Sequence, residues 1–260
     1  MFFTGRNPDN NVPLANGKVL AWLQQYDGGR PVDKLSQLFY PNYDLTSRLL
    51  GEGGSTVLVK LAHERIWYDP YGLIKNHPGQ VGEIISVDSA EFVEGSGVYQ
   101  VVSHKGNAVV RTRTRAPPGS SALVRSIEVS TLRGEGALAT LYPVVSLQNV
   151  AGRVSTIVLS RLNNNTWLAV TCTSANAVSS GDVARSVMEV QQAAFEHGSV
   201  PTSVTFSAAR PVPEWGWSQP VYLVLALGGS KTKAVKEIKR MLASRDCFYS
   251  DTLAWWEPAQ

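Results

Sequence analysis

Charge is scarce in this sequence. Of 260 residues, 24 are Lys or Arg and 21 are Asp or Glu, 17% in all, against about 25% in an average soluble protein. Disorder requires few apolar residues and a high net charge; here 43% of the chain is hydrophobic and the net charge is +3. A globular chain with long stretches of neutral surface is therefore expected, and the charge by itself indicates no nucleic-acid partner. Cysteine is nearly absent. Cys172 and Cys247 are too few and too far apart for a disulfide framework or a CxxC metal site, and read as buried thiols in a reducing compartment. No run of about 18 apolar residues exists, so no membrane-spanning helix is expected. Met1-Phe2-Phe3 passes at once into the polar stretch Thr4–Asn10, without the apolar segment of a secretion signal.

Short strands separated by turns fill most of the chain. Asn16-Gly17 precedes the apolar run Val19–Leu23, Asp27-Gly28-Gly29 marks the next turn, and Gly51-Glu52-Gly53-Gly54 reads as another before Thr56–Leu61. Further strands are predicted at Gly82–Val87, Val98–Ser103 and Ala108–Thr114, the last two joined by a hairpin at Lys105-Gly106-Asn107. After the breaker Pro117-Pro118-Gly119 come Leu123–Ser130, Leu138–Leu147, Ser155–Leu162 and Thr166–Thr173, with Asn163–Asn165 as a turn.

Helical periodicity appears late. Val183, Val187, Val190 and Ala194 recur at helical spacing before Gly198, and a second helix follows the strand Val221–Leu227, capped near Ser230, with Val235, Ile238, Met241 and Leu242 on one face. The order strand–strand–helix thus occurs at 155–197 and again at 202–244, a candidate duplication of a ββα unit that no residue-level match supports. The expected fold class is β-rich α+β. It comprises a small β-sandwich or meander at 1–80, a β region at 81–150 and an α+β domain at 151–260.

Catalytic patterns are missing. His63, His77, His104 and His197 lie in four separate segments, and HExxH, GxSxG and GxGxxG do not occur. Leu227-Gly228-Gly229-Ser230-Lys231-Thr232 joins a strand to a helix as a phosphate loop does. It has Ser230 where GxxxxGK[ST] requires glycine, and reads as an ordinary Gly/Ser start of a helix. No enzyme activity, cofactor or metal is expected from these patterns.

The run Pro13-Leu14-Ala15-Asn16-Gly17-Lys18-Val19-Leu20-Ala21-Trp22 is followed by Gly28-Gly29-Arg30-Pro31, Lys34…Tyr40, Gly53–Leu61 and Glu64-Arg65-Ile66-Trp67-Tyr68-Asp69-Pro70-Tyr71-Gly72. This stretch, residues 13–74, resembles the N-terminal attachment module of tailed-bacteriophage tail fibres, tail spikes and collar appendages. It has Leu49-Leu50-Gly51 where that module commonly has an Asn-Pro turn. The resemblance implies a structural component of a virion, assembled in the host bacterial cytoplasm from copies of itself and other virion proteins, with residues 1 to about 80 as the anchor.

Two further features suit assembly. Lys231, Lys233, Lys236, Lys239, Arg240 and Arg245 crowd one helix region, either as a solvated face or as a contact for an acidic protein surface or nucleic acid. Trp215 and Trp217 sit in the Pro/Gly-rich loop 211–220, and Trp255 and Trp256 near the C-terminus. Such tryptophans fold back over the core, anchor a partner, or form a carbohydrate platform. The interface candidates are therefore Trp215, Trp217, Trp255, Trp256, Lys233, Lys236 and Arg240. A receptor- or glycan-binding appendage is the alternative function, and a glycan-cleaving enzyme a third. Arg111, Arg113 and Arg115 alternate along one strand and must share a face, where solvent or an acidic neighbour is expected to meet them.

Overall fold

The computed structural model describes residues 11–27, 30–40, 49–62, 68–69, 83–84, 86–161, 166–175, 177–180 and 202–244. The first strands are β1 (Asn11–Ala15), β2 (Leu20–Asp27), β3 (Arg30–Phe39) and β4 (Leu50–Leu61), with two short pieces, β5 (Tyr68–Asp69) and β6 (Glu83–Ile84). An antiparallel run follows, β7 (Ser86–Val93), β8 (Val98–Lys105), β9 (Ala108–Arg115) and β10 (Ala122–Thr131), and then β11 (Ala137–Leu147), which joins the first sheet. Then come β12 (Val150–Val154), β13 (Ile157–Arg161), β14 (Trp167–Cys172), β15 (Ala177–Ser180), β16 (Thr202–Val212), β17 (Val221–Gly228) and the helix α1 (Lys231–Ala243).

These strands form two sheets. One runs β1-β2-β3-β4-β11-β16-β15, with β5 and β6 attached beside β4; the other runs β12-β13-β14-β17-β10-β9-β8-β7. Alternation along each strand separates two faces. Leu123, Ile127 and Val129 of β10 and Leu223, Leu225 and Leu227 of β17 point inward, into one core with Val57, Val59 and Leu61 of β4, Leu141 and Val145 of β11, and Phe206 of β16. The alternate residues Ala122, Val124, Val224 and Ala226 point outward and are covered by Ala234, Ile238 and Met241 of α1. Each fully buried large side chain of this kind contributes about 1.5–3 kcal/mol, which is what holds the helix on the sheet.

The expected α+β class with a duplicated ββα unit is overturned. β13 and β14 are neighbours in one sheet, whereas β16 and β17 lie in opposite sheets, so the two segments do not repeat a common unit. Among the described residues the chain is a two-sheet antiparallel sandwich with one helix against its outer face. The helix expected around Val183–Ala194 lies outside the described residues. Strands from 1–80, 81–150 and 151–260 are interleaved: β4 pairs with β11, and β11 with β16.

Glycine at two points shows what sequence alone misreads. Gly17 has φ +83 and makes the expected turn between β1 and β2. The Gly51–Gly54 run is not a turn but part of β4; Gly54 has φ +61, and a Cβ there would collide with the carbonyl of Leu35 on β3. The pairing of β4 with β11 also slips between Val145 and Leu147, so glycine here serves an irregular strand and a close backbone approach.

Candidate functional site

The outward residues of β7–β10 build a polar surface beyond the edge of α1. Register places Glu91, Gln100, Arg113 and Ser126 opposite one another on four successive strands, and Tyr222 of β17 continues the row. At about 4.8 Å between strands the row spans about 19 Å. Val102, Arg111 and Glu128 form the adjacent row.

Glu128 organises the arginines. Arg111 donates to both its carboxylate oxygens, Nε to Oε2 and Nη2 to Oε1, each at 2.9 Å. Arg113 reaches Oε2 at 3.6 Å and donates from Nε to Gln100 Oε1 at 2.8 Å. The two-pronged pairing fixes the plane of the Arg111 guanidinium, and the Trp217 ring lies over it at 4.0 Å. Of the three arginines that share this strand face, Arg111 and Arg113 meet an acidic neighbour, and Arg115, opposite Val124, is buried.

Next to this row lies an open cleft of about 540 Å³, lined by Glu91, Phe92, Glu94, Ser96, Gln100 and Arg113 with two valines. Its apolar wall is the exposed Val93 with Val98 beside it; Phe92 lies on the other face of the strand, its ring edge-on to Tyr99 with ring centres 5.2 Å apart. Tyr99 is buried and accepts a hydrogen bond from Gln25 at 2.6 Å; burial pushes its hydroxyl above the ordinary tyrosine range. The cleft therefore combines an aliphatic wall, a guanidinium, an amide and two carboxylates. Such a volume with few convergent polar groups suits a small molecule.

The tryptophan loop is rigidly attached. Ser218 N–H donates to Val129 O at 2.8 Å, Val129 N–H donates to Ser218 Oγ at 3.1 Å, and Ser130 Oγ donates to Gly216 O at 2.5 Å. Trp215 is 78% exposed, and its ring lies so near Gly134 that a Cβ there would sit 2.7 Å from it. Trp217 is folded onto the sheet, and Trp215 is presented to solvent.

The remaining predicted residues lie elsewhere. Lys233 and Lys236 are exposed on α1, and Arg240 donates to Glu237 at 2.9 and 2.6 Å. α1 covers the Ala122–Val124 end of β10, while the tryptophan loop is fastened at Val129–Ser130, about 20 Å along the strand at 3.3 Å per residue. The structure does not join the two groups. Trp255, Trp256, Cys247, His63, His77 and His197 lie outside the described residues. Among the described residues no cluster of His, Cys, Asp and Glu is arranged to hold a metal, and no helix is long and apolar enough to cross a membrane. The Gly228-Gly229-Ser230 stretch is a helix start, with Ser230 Oγ accepting from Lys233 N–H at 3.2 Å. Sequence reading missed Val93, Gln100 and Glu128; their roles come from register across strands, which no local pattern reveals.

Comparison with protein families and with curated proteins gives no match. Solved structures do resemble the chain. A bacterial glucoamylase complexed with acarbose superposes with a TM-score of 0.61 at 12% identity, covering 97% of this chain and 38% of that one. A putative kojibiose phosphorylase from the human microbiome gives 0.55 at 8% identity, covering 97% and 36%. A putative aldose 1-epimerase from Escherichia coli K12 gives 0.52 at 10% identity, covering 84% of this chain and 98% of that one. The chain thus spans under two fifths of the first two proteins and nearly all of the third. At these identities the likeness is one of fold: the two-sheet sandwich of this chain is similar to the one those three proteins contain.

Proposed function

We propose that this chain binds neutral carbohydrate in the cleft beside Val93, as the β-sandwich unit of a carbohydrate-active protein. The observation that carries the reading is the composition of the cleft. The valine wall suits the apolar face of a sugar, and Arg113, Gln100, Glu91 and Glu94 suit its hydroxyls, which both donate and accept. Donor and acceptor groups of both signs line the cleft, which favours a neutral polyol over an anion. The fold adds support, since a glucoamylase, a kojibiose phosphorylase and an aldose 1-epimerase share it. Recognition rather than bond cleavage is the activity proposed: both oxygens of Glu128 are engaged by Arg111, so that carboxylate positions a guanidinium. A neutral-glycan array tests the reading. The intact chain should bind a subset of glycans, and Gln100→Ala and Arg113→Ala should each weaken binding at least tenfold, a loss of about 1.4 kcal/mol. Binding to no glycan, or unchanged binding by both variants, overturns it.

A second reading is virion assembly, which rests on the Pro13–Gly72 resemblance and on Trp215 as an exposed anchor for a protein partner. Because β1–β4 share a sheet with β11 and β16, such an anchor would present one side of a large sandwich. Pull-down with virion proteins, lost in Trp215→Ala but kept in Gln100→Ala, would favour this reading over the first.

A further inference from the structure

We infer that the sugar ligand is an extended neutral polysaccharide chain, which runs from the cleft along the outer face of the second sheet to a second contact point on the Trp215 ring. The inference rests on the sugar-binding reading of the cleft and adds a subsite to it. Trp215 is 78% exposed yet has a fixed seat. A Cβ on Gly134 would lie 2.7 Å from Cη2 and Cζ2 of the ring and 2.8 Å from Cε2. Near-equal distances to three consecutive ring atoms place Gly134 against the face of the ring, because an edge-on approach would leave two of the three farther away. Gly134 has φ +64, a conformation that favours glycine, so backbone and space both call for the residue on which the ring lies flat. With one face seated, the other is the face presented to solvent.

Two observations select a sugar chain. The loop that carries the ring is fastened in advance, by Ser218 to Val129 and by Ser130 to Gly216, so little ordering entropy is lost on binding. A rigid, flat aromatic ring of this kind suits the apolar face of a pyranose. The ring is also continuous with the cleft. Ser130, which holds Gly216, lies four residues along β10 from Ser126, the partner of the cleft's Arg113, about 13 Å at 3.3 Å per residue. Val93, the far wall of the cleft, lies two strands beyond Arg113, about 10 Å more. A disaccharide is too short to touch both ends. Between Arg113 and the tryptophan loop lie Arg111 and Glu128, joined by two hydrogen bonds, with Trp217 over the guanidinium. Their charges offset one another, which suits a neutral chain crossing them.

Titration calorimetry of the intact chain with linear malto-, cello- and laminari-oligosaccharides, from disaccharide to hexasaccharide, tests the inference. Two contacts joined by one ligand reinforce each other only when the ligand spans both. In the series that binds, affinity should therefore step up by about tenfold or more between the short and the long members. Trp215→Ala, at an exposed position, should remove the step, and Gly134→Ala, which keeps the ring but displaces it, should reduce it. Affinity that does not change with chain length overturns the inference. So does a step that persists in Trp215→Ala, the result for a ring that serves a protein partner. In either case disaccharide binding that is lost in Arg113→Ala leaves the cleft reading standing. Binding of no oligosaccharide in any series overturns the two together.

Discussion

Asp33 of β3 and Arg125 of β10 form an ion pair through the middle of the sandwich, joining its two sheets. Arg125 is fully buried and pairs with the Asp33 carboxylate; it also donates to Ser55 O at 3.2 Å, and Thr112 donates its hydroxyl to Asp33. Removing one partner of a buried pair leaves the other charge uncompensated. Asp33→Ala should therefore destabilise by about 3–5 kcal/mol, read as a lower denaturant midpoint. The double replacement Asp33→Leu with Arg125→Met should lie within about 1.5 kcal/mol of the parent, because an apolar pair of similar volume needs no desolvation of charge.

The start of α1 is tight. A Cβ on Gly228 would lie 2.8 Å from Ala234 N and 2.9 Å from Lys233 Cβ, so Gly228→Ala must push the helix away from β17. A loss of about 1–3 kcal/mol is expected for such overpacking. Ser230→Ala, which removes only the cap on Lys233 N–H, should cost about 1 kcal/mol. Urea unfolding of the two variants should rank them in that order.

Acid should loosen the same helix. Glu237 accepts from Ser121 N–H at 3.0 Å and pairs with Arg240. Burial pushes its carboxyl up, but the bonds to Arg240 and Ser121 outweigh it, and the net shift is downward from 4.5. A carboxyl depressed in the folded state contributes stability that is fully present above its unfolded value and fades as pH falls through the folded one. The stability difference between the parent and Glu237→Gln should be constant from pH 7 to about 5 and shrink below about 4.5, as followed by urea midpoints across pH.

Cys172 should be inert in the folded chain. Burial pushes its thiol up to about 12, so thiolate, the reactive form, is scarce at pH 8. Iodoacetamide at pH 8 should leave Cys172 unmodified under native conditions and label it in urea, as read by peptide mass.

Much of the strand content was legible, because alternation and turn residues are local. Gly106 and Gly17 mark turns where the sequence has Lys105-Gly106-Asn107 and Asn16-Gly17, and β8, β10, β11 and β17 fall where apolar alternation puts them. Partnership was not legible. Alternation says which face a residue takes but not which strand lies beside it, so nothing local pairs β4 with β11 or divides β16 from β17. The ββα order therefore suggested a duplication that the sheets do not contain. The site divides in the same way. Trp215 and Trp217 stand out in a Pro/Gly-rich loop, and three alternating arginines announce a shared face. Glu128, Gln100 and Val93 gain their meaning only when three hairpins align, and Asp33 meets Arg125 only when two sheets close.

A complex with a neutral oligosaccharide tests sugar recognition most directly. Bound sugar should lie in the cleft with its apolar face on Val93 and its hydroxyls on Arg113, Gln100 and Glu91, and the Arg113→Ala crystal should show none there under the same conditions. Sugar bound elsewhere on the sandwich with this cleft empty, or equal occupancy in Arg113→Ala, would contradict the account.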